Sequence, residues 1–274
     1  MRGFLPQVMA SIFVITFFLP LGAQEKPTTE LNARIPESLM RKALRGDRSA
    51  QTRMGIVLAK GEGVAQNESE AIGWFSKAAV AGDPQAQYAL GVMLYHGKGG
   101  QKDVAAAAAW FIKAANAGLP EAQFSAACLY KAGLGVPQNL GRALALFREA
   151  AKHGLAPAQT NLGKMYAEGE GVARDPELAV RLFMQSAEQG DAVGEFDLGA
   201  MYWNGEGVPQ DFSKAAYWFR LAAEQGHQRA QIVLGTMYGG GTGLAQDYRA
   251  ARAWFLKAAQ QNNAEAQTSL DFFI

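Results

Sequence analysis

The sequence is poor in the residues that most reactions and cross-links need. It holds one cysteine, Cys128, which excludes an intramolecular disulfide and a cysteine-built zinc site. It has three histidines, His96, His153 and His227, and none has a ligating partner three or four residues on. No Ser-x-x-Lys, Gly-x-Ser-x-Gly, His-Glu-x-x-His or Walker loop occurs. It also lacks a charge of one sign: 26 basic side chains stand against 25 acidic ones, so there is no basic field for general nucleic-acid binding. Charged residues make up only 19% against 49% apolar, too few for a disordered chain of 274 residues.

Long apolar runs are also lacking, with one exception. Arg2 is the only charge before Glu25, and Phe4 to Leu21 is almost wholly apolar, with Ile12–Leu19 at its centre. A positive start, an apolar stretch and the small residues Gly22 and Ala23 make a secretory signal, with cleavage expected after Ala23. An uncleaved anchor is the rival, although Pro6, Gln7 and Pro20 shorten the apolar core. The expected location is periplasmic or secreted, with no membrane span once the signal is cut. Removing residues 1–23 removes one base and no acid, leaving 25 against 25.

What the chain has in abundance is repetition. Gly46, Gly82, Gly118, Gly154, Gly190 and Gly226 are spaced by 36 residues without a slip. In phase with them recur Leu90, Leu162, Leu198 and Leu234, each followed by glycine, then Tyr130, Tyr166, Tyr202 and Tyr238. Paired glycines follow, as at 205/207, then an Asx (Asn67, Asp103, Asn139, Asp175, Asp211, Asp247), then Trp-Phe at 74, 110, 218 and 254.

Each class has a physical reason. Leu198, Met201 and Tyr202 make one helical stripe. The glycine beside the leucine costs helix stability, so it must allow a close packing contact. The paired glycines end that helix. The Asx supplies an acceptor for the bare amides of a second helix, and Ala215, Trp218, Phe219, Ala222 and Ala223 form the second helix's stripe. Neither helix hides its stripe alone, so units must stack. The expected fold is an all-α, right-handed α-solenoid of helix–loop–helix repeats. Its organisation is a signal over 1–23, a linker over 24–35 and a capping helix over 36–45. Six repeats follow over 46–261 (46–81, 82–117, 118–153, 154–189, 190–225, 226–261), and a partial repeat or cap fills 262–274.

The run Leu198-Gly199-Ala200-Met201-Tyr202-Trp203-Asn204-Gly205-Glu206-Gly207-Val208-Pro209-Gln210-Asp211, followed by Trp218-Phe219 and Ala222-Ala223, resembles the Sel-1-like repeat family of tetratricopeptide-type proteins. Repeat three departs from the pattern with Ala126-Ala127 and Leu146, repeat four with Leu182, and repeat two with Gly100. The resemblance implies a superhelical scaffold that holds protein complexes together, with no cofactor and no enzymatic activity of its own.

In such a solenoid the first helices line a concave face, and the positions that vary between repeats are the candidates for recognition. They include Tyr88, Tyr95 and His96, Phe124 and Lys131, Lys164, then Phe196 and Trp203. Aromatic anchors with central lysines fit an extended peptide or helix of a partner protein. Tyr88, Phe124 and Phe196 could instead seal contacts between neighbouring units. A peptidoglycan- or polysaccharide-directed binder or hydrolase is the second reading, with Tyr95 and Trp203 as sugar platforms. Glu62, Glu170 and Glu206 sit between paired glycines, where solvated carboxylates are expected and an acid pair or calcium edge is the alternative. Cys128 is expected to be a small buried or groove residue rather than a nucleophile.

Overall fold

The computed structural model describes residues 35–261, 267, 268 and 270, so the expected signal over 1–23, most of the expected linker and most of the C-terminal stretch lie outside the described residues. Among the described residues there are thirteen α-helices and no strand. They fall into two compact units divided at Ala114. The first unit holds α1 (Glu37–Leu44), α2 (Arg48–Lys60), α3 (Glu68–Val80), α4 (Pro84–His96) and most of α5 (Val104–Asn116). The second holds α6 (Pro120–Ala132), α7 (Leu140–Lys152), α8 (Ala156–Glu168), α9 (Pro176–Ala187), α10 (Ala192–Asn204), α11 (Phe212–Glu224), α12 (Gln228–Gly240) and α13 (Tyr248–Ala259). Within each unit the helices pair in chain order, so the fold is an all-α solenoid of helix–loop–helix repeats.

Sequence sets every boundary. The six Asx residues cap the second helices: Asp211 Oδ1 accepts from the Lys214 amide at 2.9 Å, and Asn67, Asp103, Asn139, Asp175 and Asp247 do the same. First helices end on glycines 61, 97, 133, 169, 205 and 241, all left-handed, with the amide of Gly205 returning to the Met201 carbonyl.

The core is a row of second-helix phenylalanines. Phe75, Phe111, Phe147, Phe183, Phe219 and Phe255 are all buried. Each of five lies against a glycine of its own first helix: a Cβ on Gly199 would stand 2.7 Å from Phe219 Cδ1, and Gly55, Gly91, Gly163 and Gly235 meet their rings similarly. The repeated tryptophans sit one position earlier, at the edge of this core. Lys77, Lys113 and Lys257 lie over the faces of Trp74, Trp110 and Trp254 at 4.0–4.3 Å.

A second recurring feature is polar. Gln51, Gln87, Gln159 and Gln231 are buried in first helices, and each donates Nε2 to a carbonyl of the preceding second helix (Ala43, Ala79, Ala151, Ala223) at 3.1–3.5 Å. Their own oxygens accept in turn at two steps, from Gln189 to Gln159 at 2.7 Å and from Gln261 to Gln231 at 2.9 Å. Repeat five carries Glu195 in this place. It accepts from Gln225 at 2.8 Å, but as a carboxylate it has no proton for the turn above it. Burial raises its pKa. Glu195→Gln therefore stabilises the chain by about 1 kcal/mol at neutral pH. The gain shrinks as the pH falls through the raised Glu195 pKa, where the acid becomes a donor itself. Thermal melts of both proteins at pH 7.5 and pH 4.5 read it out, and an unchanged melting temperature at pH 7.5 refutes it.

Candidate functional site

In the second unit the first helices α6, α8, α10 and α12 form one layer, and α8 packs on α10. Ion pairs clip successive members of this layer together. Lys131 Nζ stands 2.7 Å from Glu170 Oε2, in the loop after α8. Lys164 Nζ on α8 stands 3.1 Å from Asp197 Oδ2 on α10. The two lysines are therefore paired cations whose ammonium groups join one repeat to the next. Asp197 is the more consequential acid: burial pushes its carboxyl up to about 6 against the pull of Lys164.

The aromatic residues fall into two sets. Tyr88, Phe124 and Phe196 each rest on a buried phenylalanine of the same repeat, at ring-centre distances of 5.5, 5.8 and 5.4 Å to Phe111, Phe147 and Phe219. They are half-buried and seal the helix pair within their own repeat, and Phe196 also packs against the next repeat at His227, Ala230 and Leu234. Tyr95 is only 8% exposed, with Lys102 over its ring and His96 at its edge, so it belongs to the buried wall of the first unit rather than to a lip. Trp203 is half-buried and meets Phe212 edge-on at 4.9 Å, and Asn204 beside it is exposed.

The histidine at 227 was not legible as a site residue. It caps α12, with Nδ1 accepting from the Ala230 amide at 3.2 Å, and its ring stacks on Phe196 at 4.6 Å. Burial, with Lys164 and Arg229 nearby, pushes its pKa down to about 4, so it is neutral at pH 7. Because a base with a depressed folded pKa takes up its proton more readily when unfolded, its stabilising contribution is lost as the pH falls from 6.5 towards 4. Asp197 works the other way, adding stability as the pH falls from about 6 towards 3.8. His227→Asn keeps the cap and removes the titration. The variant's melting temperature rises on acidification over this range, while that of the parent rises less or falls. Superimposable pH profiles for the two proteins sink this assignment.

Each of the acids between paired glycines has a cationic partner. Glu62 pairs with Arg53 and Lys60, Glu170 with Lys131, and Glu206 with Arg174. Among the described residues no group of three or more His, Cys, Asp and Glu side chains is placed to hold a metal ion. Burial pushes the Cys128 thiol up to about 12, so it carries no thiolate at neutral pH. No helix among the described residues is long and apolar enough to cross a membrane.

A paired-helix array whose repeating positions are buried and whose varying positions line one layer defines a helical-repeat scaffold. The family model for the Sel1 repeat matches residues 48–83, 84–119, 120–155, 156–191, 192–227 and 228–263, and the chain belongs to that family. Its members are generally protein–protein interaction scaffolds without catalytic activity. Among solved structures, the chain is similar to c5321, a protective antigen of uropathogenic Escherichia coli with this repeat fold (36% identity, TM-score 0.76). It spans 85% of its own length in that match and only 50% of the antigen's. It is also similar to a Sel1 repeat protein from Oxalobacter formigenes, at 32% identity and a TM-score of 0.74, over 82% of this chain and 87% of that one. No curated protein matches the chain.

Proposed function

We propose that the chain is an exported, non-enzymatic adaptor that holds an extended peptide or helix of a partner protein along the first-helix layer of its second unit. The observation that carries this reading is the division of labour within α8, α10 and α12. The positions that repeat (Leu162, Gly163, Leu198, Gly199, Leu234 and Gly235) are buried, and side chains that change from repeat to repeat reach the surface at Lys164, Phe196, Trp203 and Thr236. Recognition needs this pattern, since a rigid repeated frame presents a different side chain at every step. Phe196 and Trp203 supply aromatic area already fixed by packing, which lowers the entropy lost on binding. Export rests on the apolar run Ile12–Leu19 and the small residues before Gln24.

A photo-crosslinking residue at Asn204, beside Trp203, tests the site in living cells. The expected result is one dominant crosslinked protein, lost when Trp203 is changed to alanine and unaffected by a probe at Tyr217 on the opposite layer. Equal crosslinking from both positions defeats the assignment.

A further inference from the structure

Leu44 and Val80 break a rule that the later repeats keep. They stand one 36-residue step apart at the end of a second helix, where the following repeats place Asn116, Lys152, Glu188, Glu224 and Gln260. They are 68% and 79% exposed, more than any other large apolar side chain described. Cations flank Leu44 closely and Val80 more thinly. Arg41, Lys42, Arg45 and Arg48 are all exposed within eight residues, and Lys77 lies one turn before Val80. Acids share the stretch: Glu37 is 3.7 Å from Arg41, Asp47 accepts from the Ala50 amide at 2.8 Å, and Asp83, which caps α4, follows Val80. The two turns that follow these helix ends are open as well, since a Cβ added to Gly46 or Gly82 meets no atom within 4 Å.

We propose that this edge of the first unit is a membrane-surface contact. Leu44 and Val80 enter the headgroup–acyl boundary of an anionic bilayer while Arg41, Lys42, Arg45 and Arg48 sit at the lipid phosphates. Charge complementarity selects the occupant, because a chain with almost no net charge sets four cations against two acids, Glu37 and Asp47, around Leu44, its second most exposed aliphatic tip. The edge is built of helix ends and open turns, which suits a plane better than a single extended segment. Aliphatic tips flanked by arginine and lysine are also the pattern of interfacial binding. With so few cations and two small apolar tips, attachment is reversible and sensitive to salt.

Co-sedimentation with vesicles of phosphatidylcholine containing 30 mol% phosphatidylglycerol tests this, using protein that starts at Gln24 so that the apolar leader cannot insert. The expected result is binding at 50 mM NaCl that is lost at 500 mM and absent on pure phosphatidylcholine. Arg41→Glu with Arg45→Glu should weaken it at least about tenfold, as should Leu44→Ser with Val80→Ser, with melting temperatures unchanged. Lys214→Glu with Arg220→Glu, on α11 of the second unit, should leave binding intact. Failure to bind anionic vesicles overturns the proposal, as does equal binding by the charge-reversed edge. Retention on immobilised polyglutamate without vesicle binding overturns it in favour of an acidic protein partner. Because lipid is supplied directly, none of these outcomes depends on the peptide-binding layer or on export.

Discussion

Phe219→Ala lowers the stability of the second unit by about 3–5 kcal/mol. The ring is 3% exposed and fills the gap that Gly199 opens in α10, with Phe196, Ala215, Ala216 and Met237 around it. Of these neighbours only the flexible Met237 can move toward the space, and it cannot fill it. Ala215 and Ala216 have no length to extend, Phe196 is held against His227, and Gly199 offers no side chain at all. The cavity therefore persists, and its cost adds to the lost transfer energy of the ring. Urea unfolding followed by circular dichroism measures the change. A loss below about 1 kcal/mol shows that the ring is not the keystone of its repeat. The pair also has a sign test. Gly199→Ala destabilises the parent, because its new methyl would meet the ring at 2.7 Å. In the Phe219→Ala background the same change stabilises, since the obstruction is gone and alanine favours the helix by up to about 1 kcal/mol. Repeat three bears on this too: Ala127 stands in the glycine position, and both it and Phe147 are fully buried.

The limits of reading the sequence follow from what repeats and what does not. The 36-residue spacing placed the glycine ends of the first helices and the Asx caps of the second, because those depend on residues within four positions of one another, but not the first-helix caps such as Asp47, Asp191 and His227. Trp-Phe was legible as an apolar pair, but its order of importance was not. Trp218 draws attention by size, whereas the geometry puts Phe219 over the glycine and leaves Trp218 half-exposed. The buried glutamines escaped notice because a polar residue on an apolar stripe looks like a solvated position until its carbonyl partner is seen. The ionic clips escaped for a different reason. Lys131 and Glu170 are 39 apart, and Lys164 and Asp197 are 33 apart, so neither pair falls on the period and only the packed helices reveal it. Tyr95 shares its phase with Lys131 and Trp203, and phase fixes the direction of a side chain but not how deeply its neighbours cover it.

Gly207→Ala is expected to uncouple repeats four and five, at a cost of about 3–5 kcal/mol. Two penalties act together. The residue has φ +69°, which a side chain resists by about 1–2 kcal/mol. A Cβ there would also stand 2.3 Å from the Pro176 carbonyl oxygen and 2.8 Å from the Glu177 amide nitrogen, in the first turn of α9. Those are backbone atoms, so relief requires moving the start of a helix that Asp175 pins by its cap on Leu178. Gly205→Ala is the control: it has the same left-handed backbone, φ +70°, but its nearest neighbours, Gln210 Cβ at 3.1 Å and the Gln210 amide nitrogen at 3.3 Å, stand farther off and need to give far less. The control should cost the conformational penalty and a small steric one, and the difference between the two variants should be about 2 kcal/mol. Because stability in a repeat array is a sum of units and the contacts between neighbours, Gly207→Ala should also split unfolding into two steps, with amide exchange faster from α10 onward than before it. Equal destabilisation by the two substitutions, with one shared transition, means that the loop of each repeat does not clamp the second helix of the one before.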